Sequence, residues 1–231
     1  MKTIGLLGGT GWSSTIIYYK MLNELVHERQ GGRHSAQIIL KSIDYHEIQS
    51  HYGKDDDRVA TVLEQELQGL IRLKPDCILI CNMTLHKYYD VIKDRLCSEI
   101  PVFHALDLVV EQLKRQDDKK VLLLATKNTL EDGFFARRLE QSNIAVIIPN
   151  KEEREIIHSI HGELVQDRVL AASKKFFSDL IASYQDLDAV VLGCTELPLV
   201  IHQENSLLPI IDPIVLQIRA AVDDALYHFH H

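Results

Sequence analysis

The sequence predicts an α/β protein made of two pseudo-symmetric halves, each a doubly wound parallel sheet. Short apolar runs alternate with amphipathic helices along the chain, which is typical of parallel sheets with helices on both faces. With 231 residues and 46% hydrophobic content, the chain can bury one large core or two modest ones. Patterns in the first half also recur in the second. We therefore expect the active site in a cleft between the two domains, lined by the carboxyl ends of their strands.

In the first half, apolar runs that stop at small residues predict strands, and apolar residues at three- and four-residue steps predict helices. Residues 55–73 form the clearest helix, with three aspartates in the first turn and Pro75 after its end. A cap near Ser13 or Ser14 is expected for the first helix. The predicted strands are 3–8, 36–43, 77–81 and 100–103, and the predicted helices are 13–29, 55–73 and 85–96.

The second half continues the alternation and ends in a helix that starts at Pro213, a residue suited to the first helical position. A long helical region is expected to break at Gly162, and a short helix is expected directly after residue 194. The predicted strands are 120–125, 144–148, 189–192 and 208–211, and the predicted helices are 106–115, 131–141 and 152–184.

The halves repeat two local patterns. Residues 4–10 and 121–127 each give a strand, a small residue and a threonine before a helix, and residues 78–84 align with 190–196. The repeat predicts an N-terminal domain of residues 1–104 plus 213–231, whose last helix returns to it, and a C-terminal domain of residues 105–212.

Composition limits the class of partner. The formal net charge is -8 and no block of Lys or Arg forms a basic face, so we expect neither nucleic acid nor an anionic membrane as a partner. No stretch approaches a membrane span, and the first nine residues do not resemble a signal peptide. We therefore expect a cytoplasmic protein with four free thiols, and we leave the tail at 227–231 out of the site.

Cys194 is the leading catalytic candidate. It follows a buried β-branched run and Gly193, which places its sulfur at the carboxyl end of a strand. There, the N-terminus of a following helix would lower the pKa of the thiol and favour anions. The alternative is a half-buried structural cysteine, because free cysteines are often buried.

Several motifs, in order along nearly the whole chain, resemble the aspartate/glutamate racemases. Residues 8–15 (Gly-Gly-Thr-Gly-Trp-Ser-Ser-Thr) resemble that family's glycine-rich start, and residues 83–87 resemble its Asn-Thr-Met-His-Lys run. Residues 126–129 are similar to its Gly-Thr-x-x-Thr loop, and residues 193–197 to its Gly-Cys-Thr-Glu motif. Asp44, Tyr45 and the stretch 161–164 also match. The resemblance implies cofactor-free, two-base racemisation of an acidic amino acid at a cleft between two domains.

This chemistry explains the residue types. Removing a Cα proton requires a base on one face of Cα and an acid on the other, and a thiol can serve as either. The substrate carboxylate gathers charge and needs hydroxyl and backbone N–H donors. The threonines could equally be ordinary helix caps. The predicted substrate-binding residues are Gly9, Thr10, Met83, Thr84, Thr126, Thr129, Thr195 and Glu196.

The first half departs from the family pattern. Counting back from Thr84 and His86 places Asn82 where the family has its first cysteine, and Cys81 lies one residue earlier. Successive strand residues point to opposite sides, so Cys81 in the same register would face away from the cleft. Either the loop shifts by one residue and Cys81 acts, or Cys194 is the single thiol. We favour the second, with Asn82 holding a ligand or water, since an amide cannot transfer protons here.

The other cysteines and histidines carry weaker signals. Cys77 and Cys97 are assigned to the core, and His86 is either a ligand-polarising residue or a capping or surface histidine. The histidines at 46, 51, 158 and 161 show no metal-ligand spacing with cysteines, so no metal and no cofactor is predicted.

Other functions stay open. Within the wider superfamily, a decarboxylase or isomerase with one cysteine would suit a single Cys194, and so would a protein that only binds an acidic amino acid. Nucleotide binding through Gly9, Gly11 and Asp44 is the least favoured reading, because Ser14 occupies the third glycine position. The sequence does not select aspartate over glutamate. The apolar helices of the first half make a homodimer plausible.

Overall fold

The computed structural model describes residues 1–166 and 168–227 and confirms an α/β fold with two parallel sheets. The C-terminal residues 228–231, most of the predicted tail, lie outside the described residues. The strands are β1 (Ile4–Gly8), β2 (Ile38–Ser42), β3 (Cys77–Ile80), β4 (Lys120–Leu124), β5 (Ala145–Ile147), β6 (Ala189–Leu192) and β7 (Ile210–Ile211). The helices are α1 (Trp12–Gln30), α2 (His46–Gln49), α3 (Asp56–Ile71), α4 (Leu85–Ile92), α5 (Ala105–Gln116), α6 (Lys127–Asp132), α7 (Phe134–Glu140), α8 (Lys151–Leu164), α9 (Ala171–Ser183) and α10 (Pro213–Leu226).

The chain divides into two compact units. The first unit comprises Met1–Ala105 and Ile214–His231, and the second comprises Leu106–Pro213. The C-terminal helix α10 thus belongs to the first unit, where the ammonium group of Lys2 lies 2.8 Å from the carboxylate of Asp224.

The first unit contains a three-stranded parallel sheet in the order β2-β1-β3. Leu7 of β1 pairs with Ile80 of β3, so the chain leaves both strands side by side. The core of this unit contains Leu7, Ile78 and Ile80 from the strands together with Leu63 and Leu67 from α3. Burying these aliphatic side chains is the main stabilising contribution to the unit.

The second unit contains a four-stranded parallel sheet in the order β5-β4-β6-β7. Leu124 of β4 pairs with Leu192 of β6, which brings the two loops that follow these strands next to each other. Its core combines strand residues with Ile157, Ile160 and Leu164 of α8, and the side chain of Cys194 packs into the same cluster.

Several predicted elements need correction. Residues 100–103 form a single bridge between Ile78 and Val102 instead of a strand, because Pro101 has no N–H to donate. The predicted helix 131–141 is two helices, α6 and α7, separated by Gly133 with φ of 71°. The predicted break at Gly162 is wrong, because this glycine lies inside α8 and the helix ends at Leu164.

Two further elements are shorter than predicted. After Cys194 the chain makes only a three-residue 3-10 turn, Leu197–Leu199, instead of a helix, and β7 has only two residues. The first helix begins at Trp12 after Gly11, with no side-chain cap from Ser13 or Ser14.

Among the described residues, no helix is both long enough and apolar enough to cross a membrane.

Candidate active site

The second unit presents Cys194 directly beyond the end of β6. The N–H of Gly193 donates to the carbonyl of Leu124 at 2.7 Å, which extends the β4–β6 pairing by one residue. A Cβ at Gly193 would lie 3.0 Å from the Cβ of Ala125, so a larger residue would push the two strand ends apart by a few tenths of an ångström. This packing fixes the position from which Cys194 projects.

Cys194 is 7% exposed and lies within a polar cluster at the edge of an apolar core. Its Sγ donates to Oε2 of Glu196 at 3.0 Å. The hydroxyl of Thr195 donates to the same oxygen at 2.9 Å, and Nε2 of His161 on α8 lies 3.6 Å from it. The carboxylate of Glu196 therefore links a thiol, a hydroxyl and an imidazole.

The prediction that a helix N-terminus lowers the pKa of the Cys194 thiol is wrong. Burial, together with the neighbouring carboxylate of Glu196, raises the pKa of the thiol well above its usual value. The backbone N–H groups of Glu196 and Leu197 act in the opposite direction, as a helix N-terminus would, but they do not outweigh the first two effects. The three-residue turn after Cys194 is too short to supply a helix dipole. The thiol is therefore protonated at neutral pH.

Glu196 behaves differently although it lies in the same cluster. Burial alone would raise its pKa, but interactions with His161, Cys194 and Thr195 outweigh it and lower the pKa to about 2. Glu196 is thus ionised across the physiological pH range, and its carboxylate accepts a hydrogen bond from the thiol of Cys194.

The predicted threonines of the second unit have local partners. Thr126 caps α6 by accepting from the N–H of Thr129 at 3.3 Å, and the two hydroxyls lie 2.9 Å apart. Thr129 is buried, and the hydroxyl of Thr195 binds Glu196. Capping is therefore one role of Thr126. Because β4 and β6 are paired, Thr126 and Cys194 leave the sheet on adjacent strands.

In the first unit, Gly9 and Thr10 follow β1. The N–H of Gly9 donates to Oγ1 of Thr15 at 2.9 Å, and a Cβ at Gly9 would lie 2.2 Å from the carbonyl of Ile43. Gly9 also has φ of 82°, so close packing and backbone conformation account for this glycine without a nucleotide. Thr10 is buried, and its hydroxyl donates to the carbonyl of Cys81 at 3.2 Å.

Asn82 follows β3 and is held by three hydrogen bonds. Its Nδ2 donates to the carbonyl of Thr10 at 3.0 Å and to the hydroxyl of Tyr45 at 3.1 Å. Its Oδ1 accepts from the N–H of Leu85 at 3.1 Å, where α4 begins. Both amide N–H donors are in use, so in this conformation Asn82 organises the loop.

The remaining predicted residues of this loop differ in exposure. Cys81 is fully buried, and its backbone N–H donates to Leu7, so it continues β3. Burial raises the pKa of the Cys81 thiol far above its usual value. Met83 is buried, whereas Thr84 is partly exposed and makes no side-chain cap bond to α4.

Two assignments outside the site are also corrected. His86 is fully buried, neither a capping nor a surface residue, and its ring lies 4.4 Å from that of His104. Cys97 is exposed instead of lying in the core, at φ of 46° after the turn Lys93–Arg95. Cys77 is buried, as predicted.

A surface depression of about 330 Å³ lies elsewhere in the second unit. It is lined by Asp107, Val110, Glu111, Arg138, Gln141 and Ser142 on and after helices α5 and α7. None of the predicted site residues lines it.

Sequence reasoning missed the part played by His161 in the site. Its ring nitrogen, Sγ of Cys194 and a carboxylate oxygen of Glu196 all lie within 4.8 Å of one another. The spacing argument looked for ligands close together in sequence, whereas His161 comes from α8. The resemblance over residues 161–164 was the signal that could have identified it. Tyr45, which binds Asn82, was likewise noted only through the resemblance.

Comparison with known proteins agrees with these motifs. The Asp/Glu/hydantoin racemase family model matches residues 7–221. A proposed Asp/Glu racemase from Yersinia pestis is 35% identical, with a TM-score of 0.87 over 98% of this chain and 100% of that one. An aspartate racemase homologue from Pyrococcus horikoshii is 30% identical, with a TM-score of 0.86 over 97% and 99% of the two chains. A glutamate racemase from Hydrogenobaculum is 28% identical over 168 residues, and the match spans 68% of this chain but only 61% of that protein.

Proposed function

The chain belongs to the Asp/Glu/hydantoin racemase family. From this premise we propose that the protein removes and returns the Cα proton of an acidic amino acid, with Cys194 as the general acid and base. The observation that carries the proposal is the hydrogen bond from Cys194 to Glu196 inside the matched motif. The solved relatives described as racemases of aspartate or glutamate support the substrate class. No cofactor is part of the proposal.

The resting site favours proton donation. Because the thiol of Cys194 keeps its proton, it can donate that proton to a carbanion at Cα and become a thiolate. The carbanion forms in the preceding step: Cys194 first loses its thiol proton to solvent, and the resulting thiolate takes the Cα proton and returns to the thiol. An incoming α-ammonium group brings a positive charge, which favours the thiolate. Glu196 orients the S–H bond, and the imidazole of His161 lies 3.6 Å from the carboxylate of Glu196.

Hydroxyl groups near Cys194 support recognition of the substrate carboxylate. Thr126, Thr129 and Thr195 follow the ends of β4 and β6, and a hydroxyl can exchange its internal partner for a ligand oxygen. The part that Gly9, Thr10, Met83 and Thr84 play in binding stays a prediction. So do the homodimer and the cytoplasmic location.

The first unit supports chemistry with a single thiol. Cys81 is closed off by burial, and Asn82 cannot act as a base. With one thiol, the Cα proton of one enantiomer exchanges with solvent, and the resemblance to the family indicates the L form. A proton reaches the other face only from water or a weak donor. Exchange is therefore expected to be faster than net racemisation.

The test is to incubate the protein with each enantiomer of aspartate and glutamate in heavy water. NMR measures exchange at Cα, and chiral chromatography measures racemisation. We expect faster exchange of the L substrates. Equal exchange of both enantiomers would contradict the single-thiol mechanism. Absence of exchange, together with absence of thermal stabilisation by any of the four compounds, would contradict the proposed function.

A second candidate is decarboxylation of a substituted malonate. The protonated state of Cys194 favours it, because loss of CO₂ leaves an enediolate that needs one proton at Cα and no base. The thiol gives that proton and recovers one from solvent. Release of CO₂ from an arylmalonate, with no Cα exchange of amino acids, would select this reaction over racemisation.

A further inference from the structure

Three side chains of different chemistry converge in the second unit. Among residues 1–166 and 168–227, Cys194, Glu196 and His161 form a group whose sulfur, oxygen and nitrogen atoms all lie within 4.8 Å of one another. Thiolate, imidazole and carboxylate are the ligands that Zn²⁺ uses in proteins, and three protein ligands with an open fourth position are typical of accessible zinc sites.

The distances suit a tetrahedral ion. Zinc bonds of 2.0 to 2.3 Å place neighbouring ligand atoms about 3.3 to 3.8 Å apart. Here Nε2 of His161 lies 3.6 Å from Oε2 of Glu196, within that range. Sγ of Cys194 lies 3.0 Å from the same oxygen, so an ion would move these two atoms apart by about 0.5 Å. The sulfur-to-nitrogen distance is at most 4.8 Å, so an ion would draw these two atoms together by about 1 Å at most. Rotation of the partly exposed imidazole can supply such a shift.

A different part of the second unit holds each of the three side chains in place. Cys194 is fixed by the strand end at Gly193, Glu196 is held by the hydroxyl of Thr195, and His161 lies on α8. All three belong to the second unit. The side chains of His161 and Glu196 are 24% and 14% exposed, which leaves a path for an ion.

Charge also favours a dication. Once Cys194 loses its proton, the group holds a thiolate beside a carboxylate, both largely buried, and two adjacent buried negative charges repel each other. A Zn²⁺ ion compensates both charges and displaces the thiol proton to solvent.

We propose that Cys194, Glu196 and His161 bind one Zn²⁺ ion, with water at the fourth position, and that zinc thereby inhibits proton transfer by Cys194. Metal binding stands on the geometry alone, whereas the inhibition rests on the proposed function. In the metal-bound form the sulfur electrons are engaged by zinc, so the thiol can neither give nor take the Cα proton.

The binding test uses Co²⁺ as a spectroscopic probe on the full chain after treatment with a chelator. We expect thiolate-to-cobalt charge-transfer absorption and the visible bands of a tetrahedral ion at one equivalent, both displaced by Zn²⁺. The bands should be lost in Cys194→Ser and weakened at least tenfold in apparent affinity in His161→Gln. Cys97→Ser, which removes an exposed thiol, is the matched control and should behave as the wild type.

The histidines at positions 228, 230 and 231 are present in every variant and give no thiolate signal, so they do not confuse the assay. Absence of the charge-transfer band in the wild type, or its persistence in Cys194→Ser, would overturn the zinc site whatever the activity.

The inhibition test measures Cα exchange with and without ZnCl₂. We expect zinc to stop exchange and a chelator to restore it, with at least tenfold more zinc required for His161→Gln. Amino acids also chelate zinc, but they do so equally for both proteins. Undiminished exchange with bound zinc would contradict the inhibition. A metal-binding protein with no exchange at all would leave the zinc site standing and contradict the proposed function.

Discussion

The thiol of Cys194 donates a hydrogen bond to the carboxylate of Glu196, with Sγ 3.0 Å from Oε2. This hydrogen bond places a protonated thiol beside an ionised carboxylate, because the same environment raises the pKa of the first and lowers that of the second. The thiol therefore keeps its proton next to Glu196, and the hydrogen bond fixes the direction of the S–H bond from which Cys194 would exchange a proton with Cα.

Replacing the thiol tests its role directly. We expect Cys194→Ala to reduce Cα exchange of the amino-acid substrate by about 10²- to 10⁴-fold, because the general acid and base is lost. The measurement is deuterium incorporation by NMR at equal protein concentration. Cys97→Ala changes an exposed thiol and should leave exchange unchanged. Exchange in Cys194→Ala at the wild-type rate would exclude this residue as the catalytic acid and base.

The carboxylate of Glu196 can be removed with little change in shape. We expect Glu196→Gln to slow exchange by about 10²-fold, less than Cys194→Ala, because the thiol remains but its charged acceptor becomes a neutral amide that orients the S–H bond less strongly. Glu140→Gln, at an exposed position on α7, is a matched control that should keep the wild-type rate. If both variants behave alike, the carboxylate of Glu196 has no specific part in the reaction.

The amide of Asn82 organises the loop after β3. We expect Asn82→Ala to lower the free energy of unfolding by about 1–3 kcal/mol, because its partners lose three hydrogen bonds. Urea denaturation measures this change. Asn128→Ala, at an exposed position on α6, should change it by less than about 0.5 kcal/mol. Equal stability of the two variants would show that Asn82 does not hold the loop.

Gly193 allows the ends of β4 and β6 to pack closely, and its backbone is not in the left-handed region. A methyl group there would lie 3.0 Å from the Cβ of Ala125, so we expect Gly193→Ala to lower the free energy of unfolding by about 1–3 kcal/mol. Adding Ala125→Gly should restore part of the loss, and a double-mutant cycle measures the coupling. Additive effects would show that the two residues do not compete for the same space.

His86 should make the stability of the first unit depend on pH. Burial, and then the neighbouring His104, lower the pKa of His86 well below 6.5, whereas the hydrogen bond with Ile80 acts in the opposite direction. The unfolded chain therefore binds a proton more readily than the folded one. Above about pH 6.5, His86 is neutral in both the folded and the unfolded state, and the free energy of unfolding has its full value. As the pH falls from there toward the folded pKa of His86, the free energy of unfolding decreases by up to about 1.4 kcal/mol per pH unit.

Denaturation of the wild type at several pH values between about 7 and 5.5 measures this dependence. The comparison is with His86→Gln, whose stability should fall less steeply over the same range even if its absolute stability is lower. His34→Gln, which changes an exposed histidine, should follow the wild-type slope. The same slope in His86→Gln would contradict a buried neutral histidine.

Much of the second-unit site could be predicted from local patterns. The apolar run before Gly193 indicated a buried strand, and a residue that follows a parallel strand must lie at its carboxyl end, so Cys194 was located by chain direction alone. The threonines were found in the same way. The predicted effect on the thiol was wrong, because burial and the contact with Glu196 depend on packing that no local pattern records.

The chain order by itself determined the α/β fold, the two similar halves and the position of Cys194, because hydrophobic periodicity and the ends of strands are local properties. Only the tertiary structure decided which groups meet. It brought His161 from α8 to Glu196, fixed Asn82 through Thr10 and Tyr45, and enclosed Cys81 and His86. Contacts between residues far apart in sequence, and the burial that shifts their pKa values, arise from how helices pack on sheets, and the spacing along the chain does not contain them.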